Sequence, residues 1–170
     1  MAESNFSKYI CTKLKDVKEM PAYKGPQDIH QGYDKDGFRY QLEHITWMDN
    51  EVLPGCFYAE STWIWPSHYK GQRPVAPEVL KQMRQIKKED SPIKAHKHDF
   101  TEVLTIFGCN PEDPSDLGGE IEFWMEDEKY ILDKSFLVYI PAGVTHCPLI
   151  TRRMDAPFFH YTVGPGGIYT

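Results

Sequence analysis

His96-Lys97-His98-Asp99-Phe100-Thr101-Glu102 is the stretch on which the reading of this chain turns. Side chains on a β-strand alternate faces with period two, so positions 96, 98 and 102 share one parity and point the same way. Leu104 and Ile106 continue that parity as an apolar face, so the pattern predicts one strand over roughly 93 to 107 with two imidazoles and a carboxylate turned inward. Borderline nitrogen donors with one hard oxygen donor suit Fe(II), Mn(II), Ni(II), Co(II) or Zn(II). A fourth donor stands 44 positions after Glu102, in Pro141-Ala142-Gly143-Val144-Thr145-His146. There Pro141 and Gly143 predict a tight turn that ends one strand, and His146 opens the next.

Two other readings of these residues compete. His96 and His98 on an exposed strand, with Glu102 as surface charge, would satisfy the alternation equally well. A carbonic-anhydrase-like or hydrolase site also uses an H-x-H strand and a distant histidine. The H-x-H-x-D-H run of binuclear hydrolases is absent, because positions 100 and 101 are Phe and Thr.

Outward from this stretch the chain reads as short strands broken by turns: 38 to 46, 56 to 65 after Pro54-Gly55, 119 to 127, 129 to 133, 136 to 140, 146 to 151 and 158 to 163. That spacing predicts an all-β antiparallel barrel or sandwich. One short helix is expected near 77 to 88, where Pro77, Val79, Leu80, Met83 and Ile86 alternate with Lys81, Arg84, Lys87 and Lys88. Residues 66 to 77 read as proline-rich loop, and Cys109 to Gly119, with two prolines and three acids, as an exposed acidic loop. Residues 1 to 35 are polar and punctuated by Pro and Gly, and are expected as an arm packing on the barrel or on a partner subunit. Residues 36 to 170 are expected as the single barrel domain.

Composition agrees with one soluble globular unit. The chain has 170 residues, 41% hydrophobic, 14% aromatic and 26% charged, enough for one core and short for two. A net charge of −6 argues against nucleic acid as a partner, because phosphate-binding surfaces cluster Lys and Arg. No segment approaches the ~20 apolar residues that cross a bilayer, the first residues carry no basic or apolar leader pattern, and so the expectation is a cytoplasmic protein with no membrane partner. Cys11, Cys56, Cys109 and Cys147 are scattered without a C-x-x-C pair, which points to neither a disulfide framework nor a thiolate zinc site.

The remaining candidates follow from parity. His160 shares the parity of Phe158 and is a candidate acid/base or outer hydrogen-bond donor. Cys147, next to His146, is expected on the opposite face as a small core residue. Glu120 and Glu122 are expected on the solvent face. One of Arg152 and Arg153 should face inward, which would suit a carboxylate substrate. Tyr40, Tyr58 and Trp124 are pocket candidates, and His30, His44 and His68 have no evident partner.

Taken together, the two motifs resemble those of the cupin superfamily. H-x-H-x(3,4)-E is matched by His96, His98 and Glu102, and P-x-G-x(2)-H by Pro141, Gly143 and His146. The chain departs from the family pattern at turn positions, with Asp90, Ser135 and Ile150 where the family has Gly, Gly and Asn, and with Gly108 one place early. The resemblance implies a cupin-type antiparallel β-barrel, or jelly roll, with His96, His98, Glu102 and His146 as ligands of one divalent metal. Three His and one Glu in a roughly octahedral field leave two positions for substrate or dioxygen. It therefore implies a metal-dependent enzyme acting on a small organic molecule, with dioxygenase chemistry first and isomerase, decarboxylase or lyase chemistry next. Glu102 would serve as base and His160 as acid, and family habit suggests a homodimer. The alternative is a non-catalytic ligand-binding or sensor cupin.

Overall fold

The protein was analysed as a computed structural model that describes residues 6–12, 29–33, 39–66 and 94–166. Among them the strands are β1 (Ile29–Tyr33), β2 (Arg39–Met48), β3 (Tyr58–Pro66), β4 (Glu102–Gly108), β5 (Asp116–Met125), β6 (Glu128–Lys134), β7 (Phe136–Ile140), β8 (His146–Met154) and β9 (Phe158–Gly164), with a single 3₁₀ turn at Ser7–Tyr9. They form a six-stranded sheet of order β1-β2-β3-β9-β4-β7 and a three-stranded sheet of order β6-β5-β8, with every pairing antiparallel. The expected helix at 77 to 88 and the loop before it, beyond Pro66, lie outside the described residues. So does most of the expected arm, although Ile29–Tyr33 within it pairs with β2 as β1.

Alternation explains why two sheets close on one core. Leu117, Ile121 and Phe123 of β5 with Leu149 and Met154 of β8 meet Ile64, Leu104, Ile106 and Phe158 of the larger sheet in one buried cluster. Removing each such side chain from water contributes roughly 1.5–3 kcal/mol, so the inward parity of both sheets is strongly specified. The outward residues of β6, from Glu128 to Lys134, are mostly exposed, as expected of an edge strand rich in charge.

Two expectations are corrected. The strand expected over 93 to 107 begins only at Glu102; residues 94–101 run as loop, interrupted by an isolated bridge of His96 to His146. The acidic loop is exposed as expected but ends at Ser115, because Asp116 already opens β5 and Leu117 is fully buried. Ser135, standing where the family has glycine, ties that loop down. Its hydroxyl accepts from Gly108 N at 3.0 Å and donates to Pro114 O at 2.8 Å.

Candidate metal centre

The two motifs are joined through their backbones before their side chains meet. His96 N donates to His146 O at 3.0 Å, His146 N returns to His96 O at 2.9 Å, and Gly143 N donates to His98 O at 2.8 Å. These bonds lay the loop 94–101 against the entrance to β8. The turn that allows it needs Gly143, whose φ of +79° lies in the left-handed region.

His98, Glu102 and His146 come together. Their donor atoms all lie within 4.8 Å of one another, and all three residues are buried. Glu102 Oε2 lies 3.0 Å from His98 Nε2 and 3.2 Å from His146 Nε2. Its other oxygen, Oε1, accepts from the Thr162 hydroxyl of β9 at 2.5 Å. Burial pushes the Glu102 carboxyl up, but its contacts with His146, Thr162 and His98 outweigh burial and hold it at about 2. The His98 ring is fixed from its face by Phe100, stacked at 4.1 Å and 5°. Phe100 in turn lies where Gly164 and Gly166 leave room; a Cβ on Gly166 would meet its ring at 2.3 Å.

The outward nitrogen of each motif histidine faces a backbone carbonyl. His96 Nδ1 is 2.8 Å from Lys94 O, His98 Nδ1 is 2.6 Å from Phe100 O, and His146 Nδ1 is 3.1 Å from Val144 O. A carbonyl only accepts, so each Nδ1 carries a proton and Nε2 is the nitrogen that each ring has left for a ligand. Two of these nitrogens, on His98 and His146, face one carboxylate oxygen. A proton on His98 would satisfy its contact with Glu102, but His146 Nε2 remains buried without a hydrogen bond, out of line with the oxygen it faces. One cation among the three donors satisfies all of them at once, and a histidine anchored through its second nitrogen is the usual arrangement of a metal-binding imidazole. The donor set therefore fits a divalent transition metal.

The fourth motif residue stands at the edge. His96 is half-buried, with its ring centroid 4.3 Å from that of His146, and its donor atom groups with those of His146 and Cys147 rather than with His98 and Glu102. Burial lowers its pKa, which favours the neutral ring. His160 stands apart from the cluster on β9, its Nδ1 donating to Thr105 O at 2.8 Å.

The parity expectations for Cys147 and for Arg152 and Arg153 fail because turns and bulges interrupt the period. Cys147 is buried in the core as expected but has φ of +68°, so it does not turn fully away and lies beside His96 and His146. Burial, followed by the Glu102 charge, pushes its thiol up to about 12. Neither Arg152 nor Arg153 faces inward. A register shift opposite Glu120 and Ile121 turns both out. Arg152 binds Glu120 at 2.9 Å and Glu122 at 3.0 Å, and Arg153 pairs with Asp155. Glu122, expected in solvent, is buried on the outer face of the smaller sheet between Arg152 and the Trp124 indole, and so Trp124 lines no interior pocket. Tyr58 is fully buried against Trp47, and His44 pairs with Glu60. Side chains of His30, Tyr40 and His68 lie outside the described residues. Thr162 and Phe100 escaped the sequence reading, although Thr162 shares the parity that singled out His160 and Phe100 lies inside the first motif.

No family model and no curated protein matches the sequence. Solved structures are similar in outline. The lyase DddQ from Ruegeria pomeroyi, which acts on DMSP, is 21% identical with a TM-score of 0.36, over 68% of this chain; the match spans only 41% of that longer chain. A predicted oxalate decarboxylase from Thermotoga maritima is 11% identical, TM-score 0.43, over 80% of this chain and 91% of its own. An RmlC-like cupin from Shewanella frigidimarina is 12% identical, TM-score 0.39, over 81% and 83%. At these values nothing about activity is carried across. The assignment rests on the chain's own features: two motifs hydrogen-bonded to each other, two facing antiparallel sheets, and the side chains that they gather between them make this a protein of the cupin fold.

Proposed function

We propose that His98, Glu102 and His146, with His96 as fourth donor, hold one divalent transition metal ion, and that the protein is a metal-dependent enzyme acting on a small organic substrate. The observation that supports this reading is the set of three imidazoles anchored through Nδ1, two of which direct their Nε2 atoms at one carboxylate oxygen. A bound ion would supply Lewis acidity to a substrate oxygen. The chain's own residues do the rest. Thr162 keeps Glu102 oriented, Phe100 keeps the His98 ring in plane, and the two sheets exclude bulk water. A carboxyl held at about 2 is a weak proton acceptor, so Glu102 serves as ligand before it serves as base. His160, two places from Thr162 on β9, is the remaining acid candidate. Dioxygenase chemistry heads the reaction classes that the motif resemblance suggests, followed by isomerase, decarboxylase and lyase chemistry.

The test is metal content by mass spectrometry on protein prepared without a metal-affinity tag, beside His98→Ala and His146→Ala. About one transition metal per chain in the parent, lost in both variants while they stay folded, supports the centre. A parent that takes up none after reconstitution with each of Fe(II), Mn(II), Ni(II), Co(II) and Zn(II) overturns it.

A further inference from the structure

A thiol beside the centre takes no part in the metal reading. Cys147 follows His146 at the start of β8, where alternation would carry its side chain to the other face, but its φ of +68° keeps it next to His146. One donor atom each of His96, His146 and Cys147 lie within 4.8 Å of one another, as do those of His98, Glu102 and His146. Two donor sets therefore overlap on a single ring. The inner set, His98 and Glu102 with His146, is two nitrogens and a carboxylate oxygen, all from buried residues. The outer set, His96 and Cys147 with His146, is two nitrogens and a sulfur, and it reaches the rim where His96 is half-buried. The shared ring is 1% exposed, and its Nδ1 is committed to Val144 O at 3.1 Å, while its Nε2 has no hydrogen bond among the described residues.

The two sets differ in softness. Imidazole with carboxylate suits Mn(II), Fe(II) and Co(II), whereas thiolate selects Zn(II) and the thiophilic ions. In tetrahedral zinc sites Zn–N is about 2.0–2.1 Å and Zn–S about 2.3 Å, so neighbouring ligand atoms stand about 3.5 Å apart. The outer set, at 4.8 Å or less, closes to that spacing by side-chain shifts of about 1 Å. Going beyond the metal reading, with which it has the His96 and His146 rings in common, we infer that His96, His146 and Cys147 form a second, outer site for one thiophilic divalent ion such as Zn(II) or Cd(II). Binding forms an Sγ–metal bond and breaks the S–H bond, and the proton leaves to solvent. His146 has one nitrogen to give, so the two sites exclude each other. Position then follows softness: a hard ion settles inside with Glu102, and a thiophilic ion settles at the rim and displaces it by taking its histidine.

The test uses Cd(II) and Mn(II) on the full chain, in a Cys109→Ser background that removes the exposed thiol. Cd(II) binding is read by its thiolate-to-metal absorption in the ultraviolet, Mn(II) binding by electron paramagnetic resonance, and both are counted by mass spectrometry. The outer site predicts one Cd(II) per chain with the thiolate band, displacing Mn(II) equivalent for equivalent. Cys147→Ala should lose the band and about tenfold or more in Cd(II) affinity, with Mn(II) affinity within about twofold of the parent. Glu102→Gln should do the reverse, weakening Mn(II) and keeping the band. His96→Ala, a substitution at the rim, should weaken Cd(II) by about tenfold or more and Mn(II) by less; it decides alone if Cys147→Ala does not fold, and equal losses of the two ions overturn the outer site. A parent without the band, a band unchanged in Cys147→Ala, or Cd(II) and Mn(II) held together at one each also overturns it. Mn(II) uptake without a Cys147-dependent band leaves the inner centre standing alone, whereas the band in a chain that takes up none of Mn(II), Fe(II) or Co(II) overturns the inner centre and supports the outer site.

Discussion

Replacing Thr162 by Val isolates what one hydroxyl does for the centre. The two side chains have nearly the same shape, so no cavity opens, and the only losses are the 2.5 Å bond to Glu102 Oε1 and a longer contact of 3.2 Å to Val103 O. A hydrogen bond to a charged group contributes roughly 1.5–3 kcal/mol, and here Glu102 Oε1 is left buried with no replacement donor. Metal-free Thr162→Val should therefore be less stable than the parent by about that amount, read as a lower urea midpoint at unchanged slope. Metal affinity should fall separately, because a carboxylate free to rotate no longer holds Oε2 at the meeting point of the two imidazoles. Loss of a group that orients a ligand lowers metal affinity by about 10–100-fold. Competition against a chelator of known affinity measures it, and Thr162→Ser, which keeps the hydroxyl, should recover most of both losses. Parent-like stability and metal affinity within about twofold in Thr162→Val would refute the claim that this bond orients Glu102.

Two further outcomes are expected. Gly143→Ala places a Cβ in open space but at φ of +79°, so it should destabilise the fold by about 1–2 kcal/mol through backbone strain alone, with metal stoichiometry retained; a thermal midpoint equal to the parent's would contradict it. In metal-free protein, Glu102 is held below its ordinary 4.5 at about 2, so the stability that it contributes is present above pH 4.5 and is lost as pH falls toward 2. The full contribution is about 3 kcal/mol, and Glu102→Gln should flatten that acid limb of an unfolding series.

The fold was legible because burial enforces a period that residues display openly. Leu104 and Ile106 on β4, Ile121 and Phe123 on β5, and Phe158 on β9 are apolar at alternate places, and each lies in the core as its parity requires. Parity failed where the backbone leaves the ideal strand. The register shift beside Ile121 turns Arg152 and Arg153 out together, and the left-handed φ at Cys147 keeps that side chain near its neighbour His146. Neither event has a signal in residue type alone, since bulges are set by how two strands fit rather than by either one.

The site was legible for a different reason from the one that its spacing suggests. Positions 96, 98 and 102 share parity, yet no strand joins them, for β4 begins at Glu102 and residues 99 and 100 bend. Convergence comes instead from the backbone bonds of His96 with His146 and of His98 with Gly143, which lay one motif on the other. The short motif therefore encodes a loop anchored at Gly143 and packed on Phe100, and the anchoring has a cost in reach. His98 enters the buried cluster with Glu102 and His146, while His96, whose backbone is spent on the bridge to His146, stands half-buried at the rim. It follows that the four positions are unequal. Losing His98 or His146 removes a donor from the buried cluster, whereas losing His96 removes one at the edge, so His96→Ala should retain more metal than either. Equal loss in all three would mean that His96 turns inward when the ion arrives and that the rim position belongs only to the metal-free chain.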